Sequence, residues 1–504
     1  MKKIITIALI AAMMLTMLVA NVSADAWDGT SVSESLKGEG TVASPYLVES
    51  ASDLAFLAKS VNEGTTYEGK YITQTADIDL GGKEFAPIGN RDVTKPFCGL
   101  YDGNGKKITN FYQTFSYRFG GLFGFMTTIK DWTPGIINLT LEGKMDGGNR
   151  NGDTYAAGLV GWTQQNSTSG VKDANRILIA NCVVDVDYNL ATDIHDKDIY
   201  SGGISARAGF VHIVNCVNKG DITVKGDKSC LRAGAIAGWI QDAIVENTMN
   251  FGKVTAINTT DAKDCYVAGL FGLFTTSTDL QVRNCVNYGE VFVKGGKVVQ
   301  TAGIVGRVYA GKATITNCAN LGNITAESTN PGKFNEEKNK WEFQLPYAGG
   351  ILGYASCDKT AIITCYNSGE VKTVALENVT GHNPGGIAGV LNNAASTTYA
   401  KDCLTTTSRF KGWFNDANTA EGCQANVDAY TVALAIYEIE KAAFATAKVT
   451  VNGTDYNFVG KAIAEPTAPV APAPTPDTGD VTSVIVLALV AVSCGAVLTL
   501  KKTR

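Results

Sequence analysis

The sequence predicts an all-β fold, a parallel solenoid of short strands stacked coil upon coil, and three observations predict it. First, a five-residue phrase, small-Gly-apolar-x-Gly or close to it, recurs eight times, with its second residue at 121, 158, 203, 235, 269, 303, 350 and 386. The steps between copies are 37, 45, 32, 34, 34, 47 and 36 residues, the period of an architecture whose units bury their faces only against neighbours. Second, two more phrases follow the glycines. One is apolar-x-Asn-Cys-x-Asn, at 213–218, 282–287 and 315–320; the other is Gly-polar-apolar-x-apolar, at 220–224, 289–293 and 322–326. Third, the apolar residues alternate with period two. Ile222 and Val224 share a side that Thr223 does not, the pattern of a strand rather than a helix.

Each unit therefore holds three short strands separated by Gly, Asn and polar loops. Three strands without hairpin turns predict one coil of a parallel, right-handed β-helix. A propeller blade would need four strands and tight turns. Coils stack about 4.8 Å apart, so eight span roughly 40 Å and equivalent residues form ladders. Gly and Ala suit a crowded corner. Asn tolerates a left-handed backbone and can hydrogen-bond to its counterpart one coil away. The glycine phrases themselves are expected to lie within strands. The unequal steps place loops of different length on a constant core.

Cysteine joins the ladders. Cys182, Cys216, Cys285, Cys318, Cys365 and Cys403 occupy one repeat position, with Thr248 filling the gap. Parallel side chains in successive coils have poor torsions for a disulfide, so a buried file of free thiols is expected. Cys230 and Cys265, each ahead of a glycine phrase, suggest a second short file. Without Cys-x-x-Cys pairs near a histidine, no metal site is expected.

On either side of the repeats at 120–399 the pattern changes. Residues 25–119 are expected to form an N-terminal cap and the first coils. Within them 51–62 is a helix, with Leu54, Leu57, Ala58 and Val61 on one face, Ser50 or Ser52 as its cap and Gly64 at its end. Residues 400–460 are expected to be a small C-terminal cap or stalk module. It would hold a helix over 425–446, with Val432, Ile436, Ile439 and Ala443 on one side. A turn at Asn452-Gly453 would then join strands at 447–451 and 456–459.

Both termini read as addresses. Residues 1–24 have the form of a secretory signal peptide: Lys2-Lys3, an apolar run, and small residues leading to cleavage after Ala24. A Pro-rich spacer covers 461–476. Thr475-Pro476-Asp477-Thr478-Gly479 follows, then an uncharged stretch at 481–500 long enough to span a bilayer of about 30 Å, then Lys501-Lys502-Thr503-Arg504. This order resembles an LPXTG-like Gram-positive cell-wall sorting signal, with Thr475 where Leu is usual. The resemblance implies cleavage between Thr478 and Gly479 by a sortase and attachment of Thr478 to peptidoglycan, after a precursor stage held in the membrane by its C-terminal segment.

The glycine phrases are similar to the Gly-Leu-x-Gly (GLUG) repeats of bacterial surface proteins. So are Gly40-Thr41, Pro45-Tyr46, Asp77-Ile78-Asp79-Leu80, Pro87-Ile88-Gly89 and the turn from Asp102 to Ile108, and the resemblance covers roughly 27–395. It implies a surface location without fixing an activity, because such repeats occur in adhesin-like proteins and beside protease domains.

With a formal charge of −5 and no long basic run, nucleic acid is not an expected partner. No catalytic residues and no cofactor are expected. The three histidines, His195, His212 and His382, lie in unrelated repeats. Two loops stand out as candidate sites. The acidic loop carries Asp193, His195, Asp196 and Asp198. The loop behind the 47-residue step carries Phe334, Trp341 and Phe343, aromatic residues of the kind that anchor binding faces. Asp77 and Asp79, and the turn at 102–105, fit turn chemistry better than a calcium site, since the turn lacks a far-end bidentate Glu. The sequence thus predicts adhesion or another surface interaction, with a host or environmental glycan or matrix protein as ligand. A polysaccharide-active β-helix enzyme (lyase or hydrolase) and a purely structural rod are the alternatives.

Overall fold

The computed structural model describes residues 26–467 apart from 90–93, 148–151, 167–175, 192–196, 261–262, 330–332, 338–339, 343–344, 358, 376–383, 393–397, 415–417, 446 and 459–462. The signal peptide, its Ala24 site, the sorting pentapeptide and the 481–500 span lie outside the described residues. Contacts divide the chain into Met1–Glu465 and Pro466–Arg504. All the described strands and helices belong to the first unit.

Its strands form three large parallel sheets of 17, 15 and 7 strands, here sheets I, II and III. One coil shows the course of the chain. Leu231–Gly234 lies in sheet III, Ala237–Glu246 in sheet I, and Met249–Asn250 and Val254–Asn258 in sheet II. The next coil repeats it in register, Leu231 opposite Cys265, Ala237 opposite Phe271, Met249 opposite Val286 and Val254 opposite Val291. Parallel sheets built from one residue set per repeat are what stacked β-helix coils require. Alternation holds as well: Ile222 and Val224 are buried and Thr223 is half-buried between them.

Two corners explain the recurrent phrases. The glycine phrase does not sit within a strand, as the sequence suggested; it straddles the corner from sheet III to sheet I. Its apolar residue fills the inside of the bend, so Ile204, Ile236, Leu270, Ile304 and Ile351 are wholly buried. A side chain at its second position would strike the interior. A Cβ on Gly203 would lie 1.9 Å from Asn218 Oδ1, and one on Gly303 2.2 Å from Asn320 Oδ1. The second corner, from sheet I to sheet II, carries the Asn-Cys pair. Asn138, Asn181, Asn215, Asn247, Asn284 and Asn317 hold φ between 50° and 56° there, a left-handed bend that Asn accepts more readily than most residues.

Two polar ladders run through these corners. At the bend, Asn284 Nδ2 donates to Asn247 Oδ1 and Asn317 Nδ2 to Asn284 Oδ1, both at 3.1 Å. Deeper inside, Asn218, Asn250, Asn287, Asn320 and Asn367 are fully buried, and each donates to its counterpart in the next coil at 2.7–2.9 Å until Thr405 Oγ1 ends the file at 3.1 Å. The expected thiol file is present and free of disulfides, with Cys182, Cys216, Cys285, Cys318, Cys365 and Cys403 buried and directed at backbone carbonyls. The second file does not form, because Cys265 stands opposite Leu231 and Val299, and Cys230 lies one position before that register.

The helix near the N-terminus, α1 (Ala51–Glu63), is capped by Ser50 and ended by Gly64 at φ 122°. Its buried face, including Leu54, Leu57 and Val61, closes over the first coils. At the other end the coils continue past the expected limit at 399. Tyr399–Lys401 pairs with the strand before it and with Thr419–Glu421 after it. The chain then turns back along the flank instead of standing beyond the last coil. Helix α2 (Ala429–Ala443) packs Val432, Ile436, Ile439 and Ala443 on Met249, Val286 and Ala319 of sheet II. The hairpin Ala447–Val451 and Thr454–Phe458 lays Val451 on Leu100, Ile137, Leu178 and Val214. The Asn452 side chain there exchanges two 3.0 Å hydrogen bonds with the Thr133 backbone.

Candidate functional site

Two outward ladders meet along the corner between sheets III and I. In sheet III, Phe119, Tyr155, Tyr200, Arg232, Tyr266, Gln300 and Tyr347 stand in register, Phe119 one residue before its phrase and the others two before theirs. In sheet I, the residue just past the phrase gives Phe125, Trp162, Arg207, Trp239, Leu273, Arg307, Tyr354 and Val390, and Trp413 continues the file in register beyond the last phrase. The corner brings the two files side by side, so each coil adds about two large side chains to one wall.

The wall is an interleaved stack of rings and guanidinium groups. Tyr155 and Tyr200 stack at 4.7 Å and 7°, and Trp239 continues the stack on Tyr200 at 5.5 Å. Arg207 lies between Trp162 and Trp239, its Cζ 4.4 and 3.8 Å from their centroids. Arg232 covers Tyr200 at 4.8 Å, and Arg307 lies 4.8 Å from both Tyr266 and Tyr309. Such contacts contribute about 0.5–2 kcal/mol each, the larger values where water is excluded. Mutual packing leaves Tyr155, Tyr200 and Tyr266 almost covered, whereas Tyr309 is 56% and Trp413 50% exposed.

Charges on this wall are unevenly balanced. Asp198 accepts from Arg232 at 2.6 Å and from the Tyr200 hydroxyl at 3.0 Å. Asp264 accepts from the Tyr266 hydroxyl at 2.5 Å, and that oxygen accepts from Arg307 at 2.6 Å. Neither Arg207 nor Arg307 pairs with a carboxylate among the described residues. Burial pushes the Arg207 guanidinium below its usual range, as expected for a covered cation without a counter-ion, and pushes the Tyr155 hydroxyl up. Where Leu273 interrupts the large side chains, a cavity of about 270 Å³ opens, lined by Tyr200, Arg232, Trp239, Tyr266, Thr275 and Tyr309 besides Leu273.

The sites expected from sequence fare differently. Asp193, His195 and Asp196 lie outside the described residues, while Asp198 belongs to the aromatic–arginine wall, accepting from Arg232 and the Tyr200 hydroxyl. Phe334 and Trp341 are paired in backbone register in a small antiparallel hairpin, Lys333–Asn335 with Lys340–Glu342, and Phe343 is outside the described residues. Asp79 accepts from Gly81 N at 2.7 Å and serves its own turn, whereas Asp77 accepts from Lys107 N at 2.9 Å, a bond thirty residues along the chain rather than a turn. Asp102 accepts from Asn104 N at 2.8 Å, with Asn104 and Gly105 left-handed. His382 lies outside the described residues. His212, half-buried, has Nε2 3.9 Å from Glu246 Oε1. No group of three or more His, Cys, Asp or Glu among the described residues is arranged to hold a metal ion. No helix among them is long and apolar enough to cross a membrane.

Fold and wall together define a parallel-β repeat protein with one aromatic–arginine face. No protein family's profile matches the chain. Over 161 residues, 29% of this chain, it is 30% identical to halomucin of Haloquadratum walsbyi, and that stretch is 2% of halomucin. Over 89 residues, 17% of this chain, it is 38% identical to a provisionally named Gly-rich membrane protein of Evansella cellulosilytica, of which that stretch is 10%. The chain thus matches a tenth or less of the length of these curated relatives. Among solved structures, the crystal structure of a provisionally assigned immunoglobulin A1 protease from Bacteroides ovatus aligns over 83% of this chain and 94% of that one, at 16% identity and a TM-score of 0.42.

Proposed function

We propose that this chain is a cell-wall-anchored surface protein whose stacked coils form a right-handed β-helix. It acts by adhesion or another surface interaction, without catalysis. The observation that carries the reading is the aromatic–arginine wall. Rings and guanidinium groups repeated at one position per coil make an extended face of the kind that anchors ligands. A rigid stack suits such a face, because its side chains are held in place before a ligand arrives. The two carboxylates beside the cavity, Asp198 and Asp264, are already held by Arg232 and by the Tyr200 and Tyr266 hydroxyls. The GLUG-like phrases and the terminal signals support the surface location. Sortase and peptidoglycan are its proposed partners in assembly, and a glycan or matrix protein its proposed ligand.

Two experiments test this. The soluble unit, residues 26–465, is applied to glycan and matrix-protein arrays, with release of products followed in parallel. Binding without turnover is expected, and Trp239→Ala with Tyr309→Ala should weaken it at least about tenfold, the scale of losing central anchors. Product release would instead favour the polysaccharide-active enzyme, and binding to nothing would favour the structural rod. For the address, wall-digesting enzymes should release the wild-type chain from intact cells. Thr478→Ala should shift it to the membrane or the medium; unchanged wall attachment would overturn sorting at that site.

A further inference from the structure

We infer that the cavity at Leu273 is a subsite for one sugar ring of a sparsely charged, carboxylate-bearing glycan that runs along the coil axis. This rests on the surface-interaction reading above and names its ligand. Four features of the wall lead to it.

The first is shape. Trp162, Arg207, Trp239, Arg307, Tyr354 and Trp413 fill equivalent positions with large groups, and Leu273 leaves a gap between Trp239 and Arg307. The resulting cavity of about 270 Å³ lies just under the roughly 300–1,000 Å³ of drug-sized sites and has room for one ring. The second is surface chemistry. Trp239 and Tyr309 line the cavity, aromatic side chains of a kind that suits the C–H face of a pyranose, and Tyr309 is 56% exposed.

The third is charge. Arg232 lines the cavity, and Arg307 stands opposite Leu273 one coil on, with Nη1 on the Tyr266 hydroxyl and no carboxylate partner among the described residues. Arg207 lies three coils from Arg307, about 14 Å at the usual strand spacing, and also lacks one. Unpaired guanidinium groups recognise carboxylates through two parallel hydrogen bonds. Asp198 and Asp264 sit beside Arg232 and Tyr266, and the chain carries a formal charge of −5. Those negative groups repel a densely charged polymer, so an isolated carboxylate fits better than a heavily sulfated chain. The fourth is pitch. Coils repeat about every 4.8 Å, close to the length of one sugar unit, so a linear glycan can meet successive coils in step.

Calorimetry of residues 26–465 with three octasaccharides tests this: hyaluronan, its methyl ester, and chondroitin sulfate. Hyaluronan should bind, esterification should weaken binding at least about tenfold, and added sulfate should give no gain, in line with the worth of charge-assisted hydrogen bonds. Arg307→Gln should lose about tenfold. Leu273→Trp should abolish binding while the fold persists, because Trp already stands at the equivalent positions 162, 239 and 413. Unchanged melting of that variant, checked first, keeps the result readable, and Leu273→Met serves as a milder filler. Equal binding of the methyl ester, tighter binding of chondroitin sulfate, or no effect of filling the cavity would overturn the inference. If neutral glycans or a protein ligand bind instead, and Trp239→Ala removes that binding, this inference fails and the surface-interaction reading stands. If the wall binds nothing on any array, both fail.

Discussion

The Asn287 amide donates in two directions, 2.8 Å to Gly289 O in its own coil and 2.7 Å to Asn320 Oδ1 in the next, while its oxygen accepts from Asn250 at 2.8 Å. Nothing in that file reaches water, so the bonds must be made within it. Asn287→Ala is expected to leave Asn320 Oδ1 without its donor and to cost about 1–3 kcal/mol in urea unfolding; a loss near zero would mean that water or a local shift takes over. The repeat made the Asn positions legible in the sequence. Their coupling to the glycine phrase was not, because Gly303 and Asn320 meet only once the chain has rounded two corners. The Cys residues were legible for the same reason as the Asn. Burial holds the Cys265 thiol up at about 12, which keeps it protonated and inert.

At the scale of elements, strand type and order followed from period-two patterning, and the helix ends followed their caps. Ser50 and Gly64 delimit α1. The second helix begins later than its apolar pattern suggested, because Asp428 accepts from Thr431 N and so fixes the first turn. The aromatic–arginine wall was missed although its signal is present. Long loops are where a sequence reading looks for binding aromatics, whereas these rings and guanidinium groups recur inside strands beside most of the glycine phrases. A second element-level feature is the strand Ser205–Val214, which carries His212 beneath the C-terminal hairpin. Burial lowers its pKa; Glu246 opposes this, and Arg283 and Arg176 add to it. A histidine kept neutral by the fold takes up protons more readily when unfolded. Its contribution is therefore intact above the unfolded value of about 6.5 and is lost as pH falls through the folded one. Melting temperature should drop between pH 7.5 and pH 5, and His212→Gln should flatten that part of the profile; an identical slope in the variant would assign the effect elsewhere.

For the whole molecule, the common core of the repeat coils was readable from the glycine spacing, whereas the rungs before residue 120 and past 399 carry no such phrase. The path of the last segment was not readable either. Val432, Ile436, Ile439 and Ala443 were recognised as one apolar side, but a helix pattern does not say which surface it covers. The answer lies in Met249, Val286 and Ala319, apolar residues that the alternation had left on the outside of sheet II. Ile436→Ala is expected to cost about 2–4 kcal/mol of stability, the usual loss for a buried Ile. A urea midpoint unchanged by the substitution would show that the flank does not need its cover.

That returning segment also sets an order of events. Tyr71, Leu100, Ile137 and Leu178 belong to coils made early in synthesis, and their outer surface is closed by Val449, Val451 and Tyr456. The oldest rungs must therefore wait, greasy side bare, until the hairpin at 447–458 has been made. Once the hairpin docks, the two ends of the stack can no longer unravel independently.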